Sequence, residues 1–174
     1  MFRHKQDDAQ AAPTTVYQMR QQMFAIGDDY WIENGAGQRV FKVDGKALRV
    51  RKTLILETPN GLELFKIQEK LATVRDTMEI EGPAGRVATV HKKLISPLRE
   101  RYNVEFDAGG EWAVEGNIAD HQYEMKADDV TVAEVGKKWF RVRDSYGIEV
   151  GPDQNAGLVI AVAIVVDAME NPAK

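Results

Sequence analysis

Along most of the chain, apolar and polar residues alternate in short runs that end at Gly, Asn, Asp or Pro. Tyr30–Glu33 and Arg39–Val43 flank Asn34-Gly35-Ala36-Gly37, and Leu54–Glu57 and Glu63–Ile67 flank Pro59-Asn60-Gly61. Met78–Glu81 and Arg86–Val90 flank Gly82-Pro83-Ala84-Gly85, and Tyr102–Phe106 and Trp112–Val114 flank Asp107-Ala108-Gly109-Gly110. Alternation of period two around a glycine-bearing turn is hairpin chemistry, so each unit predicts two antiparallel strands. A looser fifth unit pairs Tyr123–Lys126 with Thr131–Val135 across Asp128-Asp129, and Trp139–Arg143 and Tyr146–Val150 are expected to end the sheet. Gly37, Gly61, Gly85 and Gly109 recur every 24 residues. Two strands and two turns fill such a unit. Chance recurrence in an ordinary meander and true modularity both fit the spacing.

One segment differs in kind. Residues 156–166 read Ala-Gly-Leu-Val-Ile-Ala-Val-Ala-Ile-Val-Val, without a polar side chain. Its β-branched residues favour a strand. Its length, its alanines and a start at Gly151-Pro152-Asp153-Gln154-Asn155 favour a helix, with Asp153 or Asn155 as N-cap. The reading taken is a helix over about 154–169, with Asp167 and Glu170 ending the apolar run. It is too short for a bilayer span, which needs about 20 residues. A helix with no polar face must be covered on every side. No long amphipathic helix appears between residues 30 and 150. The expected architecture is therefore mainly β: a closed antiparallel barrel around a central hydrophobic C-terminal helix, closure also removing exposed edges.

Composition narrows the class. The chain has 174 residues, a formal net charge of -4 and 44% hydrophobic residues. A multi-span membrane protein, a collagen and a wholly disordered chain are excluded. Cysteine is absent, which removes disulfides, thiolate zinc sites and thiol nucleophiles. Residues 1–14 are polar and aperiodic and read as a loose tail; residues 15–171 read as one domain. The N-terminus has no apolar run of the kind a secretory signal needs, so a cytoplasmic protein, peripheral at the membrane at most, is expected.

Three stretches resemble the LURP-one-related (LOR) proteins of plants and bacteria, which share the Tubby-like C-terminal fold. They are Asp29-Tyr30-Trp31-Ile32…Gly37…Val40-Phe41-Lys42-Val43-Asp44-Gly45 with Gly61-Leu62-Glu63-Leu64-Phe65-Lys66-Ile67…Lys70; Trp139-Phe140-Arg141-Val142-Arg143-Asp144-Ser145-Tyr146-Gly147-Ile148-Glu149-Val150; and Asp153 through Glu170. The resemblance covers about residues 17–170 and implies twelve strands around the helix. Tubby domains bind phosphoinositide headgroups, and scramblases of the same type of shell work on membrane lipids. The LOR family has no established biochemical activity. No scramblase-type calcium or palmitoylation motif is present, and no residue-level match carries over the Tubby phosphoinositide site.

Candidate chemistry is sparse. Ser96 and Ser145 are the only serines; neither lies in a Gly-x-Ser-x-Gly elbow, and Asp144-Ser145-Tyr146-Gly147 reads as a turn. His4, His91 and His121 show no metal-ligand spacing, and Asp120-His121 reads as a solvated loop pair. Asp28-Asp29 and Asp128-Asp129 read as turn residues. No catalytic residue, metal or cofactor is assigned.

Charge is uneven. Residues 39–52 hold six basic residues and one acid, 91–101 hold Lys92, Lys93, Arg99 and Arg101 against Glu100, and 137–143 hold four basic residues. Residues 105–134 hold nine acids and Lys126. In Leu48-Arg49-Val50-Arg51 and Phe140-Arg141-Val142-Arg143, period two puts each arginine pair on one strand face. Lys46, Arg49, Arg51, Lys52, Lys92, Lys93, Arg141 and Arg143 are the expected contacts for an anionic ligand or lipid headgroup. The bland alternative is a solvated face whose basic and acidic blocks pair across strands. Nucleic acid is not expected as a partner, and the chain is expected to act as a monomer. An enzyme or ligand carrier with a pocket at a barrel mouth, and a purely structural or partner-binding protein, stay open.

Overall fold

The computed structural model describes residues 14–20, 29–45, 53–70, 77–96, 99–138 and 145–170. Twelve strands form a closed antiparallel barrel in chain order, β12 pairing with β1 to shut it. They are β1 (Thr15–Arg20), β2 (Tyr30–Asn34), β3 (Arg39–Gly45), β4 (Thr53–Glu57), β5 (Glu63–Glu69) and β6 (Thr77–Gly82). Then follow β7 (Gly85–Ser96), β8 (Arg99–Phe106), β9 (Glu111–Asn117), β10 (Gln122–Ala127), β11 (Val130–Gly136) and β12 (Ser145–Val150). One helix, α1 (Ala156–Glu170), ends the described chain.

The alternation read from the sequence is the inside–outside alternation of the wall. Every strand gives the interior at least one buried apolar residue, from Met19 on β1 to Ile148 on β12. Val159 to Ala168 on α1 are all buried, and the helix touches strands as far apart around the ring as β5, β7 and β12. Fifteen residues rise about 22 Å. The helix thus fills the axis.

The glycine spacing of 24 is structural. Gly37, Gly61, Gly85 and Gly109 close the turns β2–β3, β4–β5, β6–β7 and β8–β9, and each has φ between 77° and 122°. Only glycine adopts that conformation freely, so the residue recurs where the same turn recurs. A meander puts these turns on one end of the barrel, together with Asp128 of the β10–β11 turn and the start of α1. We call this the glycine end. The opposite, carboxylate end holds the C-terminus of α1.

Several expectations need correction. The helix starts at Ala156, with Asn155 as cap: its Oδ1 accepts from the Leu158 amide at 3.1 Å. Asp153 instead lies in the preceding turn at φ 61°. The helix runs to Glu170, and the two acids that end its apolar run, Asp167 and Glu170, are held at the barrel end. Ser145 is in β12 rather than a turn, buried and accepting a hydrogen bond from Gln18 Nε2 at 3.2 Å. The strand expected at 139–143 lies outside the described residues.

Candidate functional site

The polar groups inside the barrel gather at the carboxylate end. There α1 presents Asp167 and Glu170, three residues apart and so on one helix face. Lys92 on β7 and Tyr102 on β8 meet Glu170: Lys92 Nζ donates to Glu170 Oε1 at 2.8 Å, and the Tyr102 hydroxyl donates to the same oxygen. Lys92 also pairs with Glu100 at 3.1 Å. Burial pushes the Glu170 carboxyl up, but the hydrogen bonds from Lys92 and Tyr102 outweigh it and hold Glu170 below its usual range.

One turn deeper, the Tyr146 hydroxyl on β12 donates to Asp167 Oδ2. His121, in the β9–β10 turn, lies over Tyr146 with ring centroids 4.4 Å apart, and its Nδ1 is 3.9 Å from Asp167 Oδ1. His121 has φ 54°, a left-handed conformation unusual for a side-chain-bearing residue. The Tyr123 hydroxyl on β10 is buried in the same region. Burial pushes the Asp167 carboxyl up to about 7, opposed by the Tyr146 hydrogen bond and assisted by Glu170. Burial pushes His121 down to about 4, with Lys137 adding to the effect and Asp120 opposing it. Tyr123 and Tyr146 rise well above the usual phenol range through burial and the nearby Asp167. Asp167 and His121 fall within ion-pair distance, but burial of both and the lack of a hydrogen bond at 3.9 Å favour a neutral acid beside a neutral imidazole.

The sequence did not point to this cluster. His121 was expected to be solvated with Asp120, yet it is 6% exposed whereas Asp120 is exposed. One signal was there: two acids three residues apart, closing an otherwise apolar helix that must be enclosed.

Of the basic residues expected to bind an anion, Lys46, Arg49, Arg51, Lys52, Arg141 and Arg143 lie outside the described residues. Lys92 and Lys93 are neighbours on β7 and therefore point to opposite sides. Lys92 follows the inward Ala88 and Val90; Lys93 is exposed on the outer wall, opposite Arg101. The strand ends that flank the three basic segments share one end of the barrel. They are Gly45 and Thr53, Ser96 and Arg99, and Gly136 and Ser145, at the β3–β4, β7–β8 and β11–β12 connections. These connections are four strands apart around the twelve-stranded ring. All three lie at the carboxylate end.

The acidic stretch supplies the wall from the end of β8 to β11. Arg101 pairs with Glu115 at 3.0 Å and Lys138 with Glu134 at 2.9 Å, so residues of the basic and acidic blocks do pair across and along strands. Glu115, Glu124, Glu134 and Glu149 also stand directly opposite one another in sequence along β9, β10, β11 and β12.

The family model of LURP-one-related (LOR) proteins matches residues 15–167. The chain belongs to the LOR family. The match runs from the first strand to Asp167, so this LOR chain carries the family pattern through both barrel and helix. No curated protein matches the chain. A protein of Arabidopsis thaliana solved by X-ray crystallography has a similar fold, with TM-score 0.69 and 16% identity over 92% of this chain and 94% of that one. At that identity the likeness is one of fold. Among the described residues of this LOR protein, no helix is long and apolar enough to cross a membrane.

Proposed function

We propose that this LOR protein is a non-enzymatic binding module that docks on anionic surfaces, lipid headgroups in particular, with the carboxylate end of its barrel. The single observation that carries this is the placement of the flanking strand ends. Connections whose sequences hold Lys46, Arg49, Arg51, Lys52, Arg141 and Arg143 leave and rejoin the wall at one end, as does the β7–β8 pair bearing Lys93. Lys92 would act beneath them, holding the helix end. The turns of the glycine end carry no basic residue, and the wall from the end of β8 to β11 is acidic. Such a dipolar chain orients itself on an anionic surface despite a net charge of -4. Each Lys or Arg near such a surface contributes about 1 kcal/mol. The Tubby-like and scramblase-like resemblance points the same way. A cytoplasmic protein, monomeric and peripheral at the membrane, completes the proposal, and the closed barrel leaves no edge to recruit a second chain.

The alternative is an enzyme or ligand carrier at a barrel mouth. The buried Asp167, His121 and Tyr146 cluster is the observation that favours it. Sedimentation with vesicles of graded anionic lipid content separates the two. The docking proposal expects binding that grows with anionic content and fades in high salt. Binding indifferent to lipid charge, or no binding, would favour the alternative.

A further inference from the structure

We propose that Asp167 is a proton-operated latch on the C-terminal turn of α1, closed while its carboxyl carries a proton and loosened when the proton leaves. The proposal is independent of what the barrel end binds.

The geometry gives one helix turn two carboxyls with different surroundings. Glu170 sits 14% exposed at the rim, where Lys92 and the Tyr102 hydroxyl meet its charge. Asp167 is 2% exposed and lies deeper in the barrel. From β12 it faces the Tyr146 hydroxyl, from β10 Tyr123, and from the β9–β10 turn His121, while Tyr102 of β8 acts on Tyr123 and bonds Glu170. On its own helix it faces Glu170, which brings Lys92 of β7 and Glu100 of β8 within the same charge cluster. Lys137, at the end of β11, acts on His121, as does Asp120 beside it.

A neutral Asp167 fits these surroundings: it keeps its bond with the Tyr146 hydroxyl and places no charge in the barrel. An ionised Asp167 puts a negative charge in a closed interior, beside the negative end of the helix dipole and one turn from Glu170. The last turn, Asp167-Ala168-Met169-Glu170, contains no basic residue to offset the dipole. Moving that turn outward returns the carboxylate to water. His121 in the β9–β10 turn and Tyr146 on β12 are not part of the helix; with the Tyr146 ring still covering His121, the burial that chiefly lowers the imidazole, and the smaller influence of Lys137, are kept when the helix end moves. Helix-end opening is therefore coupled to the loss of one proton, that of Asp167.

Burial places the ionisation of Asp167 at about 7, against 3.8 for an unburied carboxyl. A closed state that holds the proton more tightly than the open one opens about tenfold more per pH unit across that interval and levels off above it. Hydrogen exchange of the full chain, corrected for intrinsic rates, reads this directly. Protection of the amides of residues 166–170 should fall about fiftyfold from pH 5 to pH 7, while amides of 160–163 barely change. Asp167→Asn should remove the pH dependence and leave the turn protected. A flat profile in the wild type, or the same slope in Asp167→Asn, would overturn the latch. If the variant folds poorly, the ¹³C shift of the wild-type Asp167 carboxyl decides: a midpoint near 7 supports the proposal, and one below 5 sinks it.

Discussion

Asp167 Oδ1 and His121 Nδ1 stand 3.9 Å apart with both side chains buried, and burial moves their ionisation in opposite directions relative to neutrality. The folded acid is raised to about 7, so its contribution to stability is full below about pH 4 and is lost as pH rises through 7. The folded imidazole is lowered to about 4, so its contribution is present above about 6.5 and is lost as pH falls through 4. Global unfolding releases both, and between those limits the two effects oppose each other. Urea denaturation across this range should give slopes of opposite sign for two variants. The wild type's advantage over Asp167→Asn should shrink from pH 4 to pH 7 by up to about 4 kcal/mol. Its advantage over His121→Gln should grow from pH 4 to pH 6.5 by up to about 3 kcal/mol. A profile that stays flat for either variant would contradict these opposed shifts.

The hairpins and the core helix could be read from the sequence because their signals are local. Asn60-Gly61 and Gly109-Gly110 dictate turns within a few residues, and eleven apolar residues from Ala156 can only be enclosed. The buried cluster could not, since Asp167 meets a tyrosine 21 residues away and a histidine 46 residues away. A carboxylate after an apolar run looks the same whether it ends a helix in water or lies inside a barrel. In His91–Arg101 the charged residues hide the strand alternation. On the wall that alternation separates inward Lys92 from outward Lys93. β1 has no glycine turn beside it to mark it in the sequence.

Lys92 and Lys93 should consequently behave differently. Lys92→Met leaves Glu170 near the barrel interior without its cation, and should cost about 1–2 kcal/mol and raise the Glu170 carboxyl. Lys93→Glu should leave the denaturation midpoint within about 0.5 kcal/mol of wild type while weakening binding to anionic vesicles. Equal effects of the two on stability would contradict the inward placement of Lys92.

The glutamates on β9 to β12 repel across the sheet. Glu124 faces both Glu115 and Glu134, with Lys126 2.9 Å away as partial compensation. Glu124→Gln removes two like-charge oppositions and one attraction, and should stabilise the barrel by a few tenths of a kcal/mol at low salt. The gain should disappear in molar salt. A loss of stability would show that the bond to Lys126 outweighs the repulsion.

Two glycines with positive φ should differ in cost. At Gly61 a Cβ meets open space, so Gly61→Ala bears only the backbone penalty of about 1 kcal/mol. At Gly116, φ 142°, a Cβ would lie 2.5 Å from the Gln122 carbonyl oxygen and 2.7 Å from Tyr123 Cα. Gly116→Ala should push β9 from β10 next to the buried Tyr123 and cost about 3 kcal/mol or more. Thermal melts of the two variants test this contrast.

The central claim is that one end of the barrel faces an anionic surface. Hydrogen exchange of the full chain with and without vesicles containing anionic lipid maps that end. The docking account expects added protection at Gly45, Thr53, Gly136 and Ser145, the strand ends beside the basic segments, and none at Gly37, Gly61, Gly85 and Gly109. Protection at the glycine turns instead, or vesicle binding that leaves the carboxylate end unchanged, would contradict it.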